Sequence, residues 1–469
     1  MDKQLEVCPV RFQARVNAHA TAIQADALAI SYQRLDWTLE RIAEQLAHLN
    51  LQAGDRLICI AENSLNLILL QLTCIRTGII FCPLNPRFSE QEISQRSKVL
   101  NSTFIWLEDT SRHTKLSSLP IDFTLAEKGK TPLEPLKIDA QKVSNIIFTS
   151  GSSGQPKAVM HCFSNHYYSA LASQSLIPLQ PGDRCLLSLP LFHISGFATV
   201  MRALIAGATL LISSQQLSVT LLKREKITHL SLVSTQLYRL LGKRGFQAQA
   251  LSLKHLLLGG STFPERLLKQ TGERGFVYHL SYGLSEMSSQ VATSTNSNKL
   301  QLLPEQQVKI IDNEIYLRGK MRFVGYYNGD LTADRLPEKQ WFASKDSGSL
   351  IGRQLIVSGR KDRLMISGGE NIQAEELESV LLNFGYVKQA VVVAVTDPVF
   401  GERPVAFINW VNDKDKQVQL KSYLQDKLTT YKQPVHYLPL PKQNSIKVSL
   451  QTLQVIAQTR HNNYLAEEN

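Results

Sequence analysis

Residues Thr149 to Lys157 read Thr-Ser-Gly-Ser-Ser-Gly-Gln-Pro-Lys and directly follow the strand-like run Asn145–Phe148. Loops dense in Ser, Thr and Gly turn successive backbone N–H groups inward and add hydroxyl donors, a combination that suits phosphate oxygens. Thr149, Ser150, Gly151, Ser152, Ser153 and Gly154 are therefore candidate phosphate ligands, with Lys157 as a nearby cation. The loop is not that of the common nucleotide hydrolases, which needs a Ser or Thr after its lysine to hold the metal. Here Pro156 precedes Lys157 and Ala158 follows it. The plain alternative is a Ser/Gly linker, but a linker has no reason to be welded to a buried strand. Further on lies Ser281-Tyr282-Gly283-Leu284-Ser285-Glu286. An aromatic followed by Gly can stack on a nucleobase with backbone close by, and a carboxylate three residues on suits Mg²⁺ bridging phosphates. Lys345-Asp346 then offers a carboxylate for ribose hydroxyls, and Gly359-Arg360-Lys361-Asp362 follows. A different feature is Leu189 to Leu211, where His193 and Arg202 are the only side chains that are neither apolar nor small hydroxyls. Arg202 is the only Lys, Arg, Asp or Glu between Arg184 and Lys223. A lone charge in such a run either snorkels to solvent or faces a partner anion.

The elements that must position these residues follow from periodicity. Asp55–Ser64, Ile79–Pro86, Asn145–Ser150, and the runs starting at Arg184, Ala208, Thr228 and His255 read as short strands, with helix-like stretches between several of them. Strands of that length alternating with helices predict parallel sheets with helices packed outside. Past about residue 305 the pattern changes to a hairpin turning at Asp312-Asn313. From Gly359 onward a charged stretch leads into the helix of AEELESVLLNF, two apolar strands (AVVVAVTD and PVAFINWV), a helix in VQLKSYLQDKL and a last helix after Val448. The expected fold is α/β: a large N-terminal body (1–360) of mixed and parallel sheets with a small antiparallel portion, and a small mobile α+β C-terminal lid (361–469).

Composition narrows the function. The 469 residues carry 51 Lys+Arg and 40 Asp+Glu, a net charge of +11, with 43% hydrophobic residues. That is a globular composition, not a disordered one. Residues 361–469 hold 12 basic and 12 acidic side chains, so the excess lies upstream. Arg202 to Arg274 alone holds 11 basic and three acidic residues. Such an excess favours an anionic partner, but aromatics are not interleaved with the basics and no nucleic-acid module is present. No apolar stretch spans a bilayer and no signal core opens the chain. The six cysteines form no CxxC pair, which argues against a disulfide framework or cysteine-rich zinc site. The expectation is a cytoplasmic protein with reduced thiols.

Thr149–Lys157, Tyr282–Glu286, Asp346, the run GRKDRLMISGGENI and a late lysine in SIKVS occur in this order. Together they resemble the adenylate-forming superfamily of acyl-CoA synthetases, luciferases and peptide-synthetase adenylation domains. The resemblance spans about residues 20 to 455. It implies that Gly259-Gly260-Ser261 and Tyr282-Gly283 bracket adenine, Ser285 and Glu286 meet phosphate and Mg²⁺, and Asp346 and Arg360 hold ribose. The hinge falls on Asp362, and Ser367, Gly368, Gly369 and Glu370 face the thioester-forming site. Lys447 is the catalytic lysine, although the family's usual Thr-Gly-Lys is here Ser445-Ile446-Lys447. ATP and CoA become co-substrates with Mg²⁺. The implied partners are small molecules, with no nucleic acid and no membrane span, and with homo-oligomerisation left open.

The wording of PLFHISG, VMRALIAGATL and SGGENIQAEELE resembles the o-succinylbenzoate–CoA ligases of menaquinone or phylloquinone synthesis. On that resemblance His193 lies near the reacting carboxylate, Ser261 also lines the acid pocket, and Arg202 reads a second carboxylate, which Arg can clamp bidentately. Plain readings stand beside these: His193 packed, Arg202 on an exposed helix face. The rival functions are a CoA ligase for another aromatic or medium-chain acid, an adenylation domain loading a carrier protein and, from another class, a non-catalytic nucleotide-binding protein.

Overall fold

The computed structural model describes residues 4–113, 115–129, 134–149, 156–261, 263–332, 334–411, 416–441 and 449–468. The chain divides into two compact units. The body comprises Met1–Ser261, Thr271–Gln307 and Arg318–Trp341, and the second unit Thr262–Gln270, Val308–Leu317 and Phe342–Asn469. The second unit thus takes in Phe342–Arg360, upstream of residue 361. The ten-residue strand Phe342–Ile351 pairs with Gln354–Arg360 on one side and with Glu314–Leu317 on the other.

The body is built on two sheets. In the first, Tyr278–Tyr282, His255–Leu258, His229–Leu232, Arg184–Leu186, Thr209–Ile212 and Thr21–Ala25 lie side by side and parallel. In the second, Val143–Thr149, Ile80–Leu84, Arg56–Ile60 and Ile105–Leu107 are parallel, while Lys157–Cys162 folds back antiparallel on Val143–Thr149. Parallel strands covered on both faces read as continuous apolar runs, and all five positions of Ile80–Leu84 are buried.

The helix Leu65–Thr77 shows the same logic. Ser64 caps it by accepting from the Leu67 amide, Gly78 ends it at φ 76°, and every residue from Leu67 to Ile75 is buried. An all-round apolar helix belongs inside, and this one shares a core with Phe197, Val200, Met201 and Leu204 of the helix Ile194–Ile205. Each fully buried Leu there contributes about 1.5–3 kcal/mol.

In the second unit, Leu364–Ser367, Glu370–Gln373, Val387–Asp397 and Gly401–Trp410 form an antiparallel sheet extended by His436–Pro439. Period-two alternation decides which helix covers which face. Val392, Ala406 and Ile408 pack with the helices Ala374–Asn383 and Gln417–Gln425, whereas Val393, Val405 and Phe407 pack with Leu453 and Ala457 of Leu450–Glu468. The turn at Asp312-Asn313 places both residues at positive φ, 49° and 61°, as a two-residue hairpin requires. Among the described residues no helix is long and apolar enough to cross a membrane.

Candidate active site

Two neighbouring strands of the body's first sheet end in the turns Gly259-Gly260-Ser261 and Tyr282-Gly283, at their carboxyl ends, where open α/β sheets bind ligands. Gly260 sits at φ 81°, a conformation that disfavours side chains, and a Cβ on Gly283 would lie 1.6 Å from the Ser289 carbonyl oxygen. Both turns are therefore closed to bulk and leave backbone exposed for a flat ring. Ser261 is exposed and Tyr282 half-buried.

The strands Val143–Thr149 and Lys157–Cys162 pair antiparallel, with Thr149 opposite Lys157 in register. Ser150, Gly151, Ser152, Ser153 and Gly154 lie outside the described residues. The Lys157 Nζ stands 4.7 Å from the centre of the Tyr326 ring, and the Tyr326 hydroxyl donates to Glu286 Oε1 at 2.7 Å. One phenol thus joins the end of the glycine-rich segment to the Ser285-Glu286 turn. Tyr326 escaped the motif reading; its only signal was an aromatic pair with Tyr327 ahead of an Asn-Gly turn. Ser285–Met287 forms a single 3-10 turn, tied down by the Phe323 amide donating to the Glu286 carbonyl at 2.8 Å.

Among the described residues no three His, Cys, Asp or Glu side chains gather into a metal-binding group. Mg²⁺ is usually held by one or two carboxylates together with substrate phosphates. Glu286 fits such a role, since Tyr326 orients its carboxylate beside the hairpin that carries Lys157.

His193 is the N-cap of the helix Ile194–Ile205 and lies half-buried, its ring edge-on to Phe192 at 4.8 Å. The sharp entry to this helix depends on Gly196, whose Cβ would meet the Pro190 carbonyl at 2.1 Å. Arg202, on the same helix, is 5% exposed, so the exposed-face reading is excluded. Its Nη2 donates to the Thr199 hydroxyl at 3.1 Å and to the Ser231 hydroxyl at 3.3 Å. Among the described residues no carboxylate pairs with it. Burial lowers its pKa, partly opposed by the neighbouring Cys185. Ser231 is the third residue of the strand His229–Leu232, so Arg202 reaches toward the same carboxyl edge as the turns Gly259-Gly260-Ser261 and Tyr282-Gly283.

In the second unit, Asp346 faces Arg360 in strand register and is 8% exposed. Arg360 Nη1 lies 3.6 Å from Asp346 Oδ1, and its Nη2 lies 3.0 Å from Asp362 Oδ2. Burial raises the Asp362 pKa, but the Arg360 hydrogen bond and charge outweigh it and leave the carboxyl below its ordinary value. Lys345, just before Asp346, holds φ 64°. Such strain in a non-glycine residue is typical of functional sites. Ser367 and Glu370 pair across a turn in which Gly368 and Gly369 sit at φ 57° and 86°. Lys447 lies outside the described residues.

Comparison with known proteins follows this layout. The AMP-binding enzyme family matches residues 10–327, and the AMP-binding enzyme C-terminal domain matches residues 376–447. The chain is 33% identical over 453 residues to the 2-succinylbenzoate–CoA ligase of Salmonella typhimurium, covering 95% of this chain and 97% of that one. The o-succinylbenzoate CoA synthetase of Bacillus subtilis in complex with the acyl-adenylate intermediate OSB-AMP superposes with a TM-score of 0.85 at 27% identity, covering 96% of this chain and 98% of that one. The same enzyme with ATP and magnesium ion gives a TM-score of 0.84 at 26% identity, over 96% and 99%. The chain belongs to the AMP-binding enzyme family, in its 2-succinylbenzoate–CoA ligase branch.

Proposed function

We propose that this chain is an ATP-dependent acid–CoA ligase whose acid is 2-succinylbenzoate. In the first step a carboxylate oxygen attacks the α-phosphorus of ATP, giving acyl-adenylate and pyrophosphate. In the second the CoA thiol attacks the acyl carbon and AMP leaves, giving succinylbenzoyl-CoA. The protein does little covalent work in either step, so positioning and charge neutralisation carry the acceleration. Thr149 to Gly154 and Lys157 hold the phosphates, Gly259 to Ser261 and Tyr282-Gly283 the adenine, and Asp346 with Arg360 the ribose. Ser285 contacts phosphate, and Glu286 holds Mg²⁺, which when bound neutralises phosphate charge. Lys447 neutralises charge at the reacting phosphate. For the second step the C-terminal lid, residues 361–469, turns about Asp362, and the Ser367–Glu370 turn replaces Lys447 at the reaction centre.

The observation that carries the substrate assignment is the buried guanidinium of Arg202, whose described partners are two hydroxyls and no carboxylate. The acid named for the relatives has two carboxylates; one reacts, near His193 and Ser261, and Arg202 takes the one on the ring. We place the enzyme in the cytoplasm, since its co-substrates are ATP and CoA and all six cysteines are free and buried. The test is a panel of aromatic, dicarboxylic and medium-chain acids assayed for ATP- and CoA-dependent AMP release. 2-Succinylbenzoate should give the highest kcat/KM. A fatty or simple aromatic acid turned over faster would replace it, and no AMP release with any acid would favour a nucleotide-binding protein without catalysis.

A further inference from the structure

Away from every residue given a role above, the body contains a buried chain of polar side chains that ends on the active-site turn. Asn145 and His161 are 0% exposed and His166 is 1% exposed. Asn145 lies on the strand that ends at Thr149, and His161 on the strand that begins at Lys157. His161 Nε2 lies 2.7 Å from the Ser285 carbonyl oxygen, His161 Nδ1 lies 3.1 Å from Asn145 Nδ2, and Asn145 Oδ1 lies 2.7 Å from His166 Nε2.

These contacts fix every hydrogen. A carbonyl only accepts, so His161 must carry its proton on Nε2. In a neutral ring Nδ1 then accepts, which turns the Asn145 amide so that its NH₂ donates to His161. The Asn145 oxygen is left facing His166, which donates from Nε2. Every donor therefore points the same way, from His166 through Asn145 and His161 to Ser285. The reverse amide orientation would need a doubly protonated, charged His161 in a fully buried place. Burial opposes that: it pushes the His161 pKa down to about 4, against the smaller effect of the Ser285 carbonyl. A second anchor holds the far side of the turn, where the Ser169 hydroxyl donates to the Ser288 carbonyl at 2.6 Å. The turn needs such anchors, because Ser288 and Ser289 both sit at positive φ, 50° and 103°.

We propose that His161 is a positioning residue for adenylate formation, locking the Ser285 carbonyl, and with it Glu286, to the hairpin that presents Thr149 and Lys157. Without the lock, the phosphate ligands of the hairpin and the metal carboxylate of the turn no longer share one geometry. The proposal rests on the acid–CoA ligase reading for its reaction, but not for its binding consequence.

The test compares His161→Gln with His161→Asn. Both are neutral amides able to accept from Asn145, but only the longer Gln extends to the Ser285 carbonyl. The first readout is ATP affinity in excess Mg²⁺ by calorimetry, together with the Mg²⁺ concentration for half-saturation. The second is pyrophosphate release set against thioester formation from preformed acyl-adenylate. His161→Gln should stay within about threefold of the parent, as it keeps the hydrogen bond. His161→Asn should weaken ATP binding and raise the Mg²⁺ requirement by about tenfold, the loss of one hydrogen bond at ~1.4 kcal/mol. Its thioester formation from preformed adenylate should remain within about threefold of the parent. Equal ATP affinity in the two variants, or equal loss in both half-reactions, overturns the proposal. If the parent enzyme activates no acid, the ligase reading fails while the calorimetric comparison still decides the role of His161.

Discussion

An ionised group taken out of water costs several kcal/mol unless a partner repays it, and Arg202 has only the Thr199 and Ser231 hydroxyls as described partners. A folded protein retains such a charge when a ligand completes it. Replacing Arg202 with Met keeps the chain length and removes the buried charge, so Arg202→Met should unfold at the same temperature or a few degrees higher. The KM for 2-succinylbenzoate should rise by about 10- to 100-fold, the loss of a charged contact worth roughly 1.5–3 kcal/mol. The KM for the same keto acid lacking its ring carboxylate should change little. Steady-state kinetics with both acids and thermal unfolding check this, and an unchanged KM for 2-succinylbenzoate returns Arg202 to a purely structural role. That Arg202 is the one charge in a long apolar run was legible in the sequence, whereas its burial came only from the structure. Tyr326 and His161 were not legible, because each meets its partner far along the chain, and no local spacing records such a contact. Tyr326 meets Glu286 forty residues upstream, and His161 meets Ser285 across 124 residues.

The hairpin Val387–Asp397/Gly401–Trp410 illustrates both sides of that legibility at the scale of elements. The apolar runs AVVVAVTD and PVAFINWV predicted its strands, and the structure pairs Val391 with Phe407 and Val393 with Val405. The turn between them is held by a long-range contact that periodicity cannot carry. Asp397 Oδ1 accepts from the Val399 and Phe400 amides at 2.9 and 2.8 Å, while Oδ2 lies 3.0 Å from His461 Nε2 on the last helix. The Phe400 carbonyl in turn accepts from the Gly368 amide at 2.8 Å, so the Ser367–Glu370 turn leans on the same anchor. Burial alone would raise the Asp397 pKa, but the Phe400 and Val399 amides and His461 outweigh it and hold the carboxyl below its ordinary value. A carboxylate depressed in the folded state stabilises above the unfolded pKa of about 3.9, and that stability is lost as pH falls through the folded value. Asp397→Asn should therefore lower the melting temperature at pH 7 and lose less further stability than the parent between about pH 5 and 3. Melting curves across that range decide it, and parallel curves for the two proteins would remove Asp397 as the acid-sensitive anchor. The fold-back of Lys157–Cys162 was also hidden in the sequence. A strand buried along five of its six positions has no alternation to set its direction, and only the pairing shows it antiparallel.

At the scale of the whole chain, the net charge of +11 divides into a neutral C-terminal stretch and a basic remainder. All three proposed substrates are anions, and a basic body raises their local concentration. Several of those basic groups are spoken for, since Lys254 pairs with Asp183 and the Arg274 guanidinium donates to the Lys243 and Phe246 carbonyls. Charge therefore supports the function without locating it. What points to it is the order of the motifs, and in the proposed mechanism the last of them, Lys447, separates the two chemical steps. Adenylation places extra negative charge on the phosphate as pyrophosphate departs, and a lysine there stabilises the transition state more than the ground state. Thioester formation moves charge onto the acyl oxygen and AMP instead, and under the proposed rotation about Asp362 the lysine has by then left. Lys447→Ala should accordingly lose about 10²- to 10³-fold in pyrophosphate release, the usual cost of removing one such charge-stabilising donor. Its conversion of preformed succinylbenzoyl-adenylate and CoA to thioester should stay within a few-fold of the parent. Single-turnover measurements of each half-reaction separate the two, because kcat alone reports only the slower step. If both half-reactions fall together, one arrangement of the C-terminal residues serves both steps, and the rotation is wrong even though the ligase assignment stands.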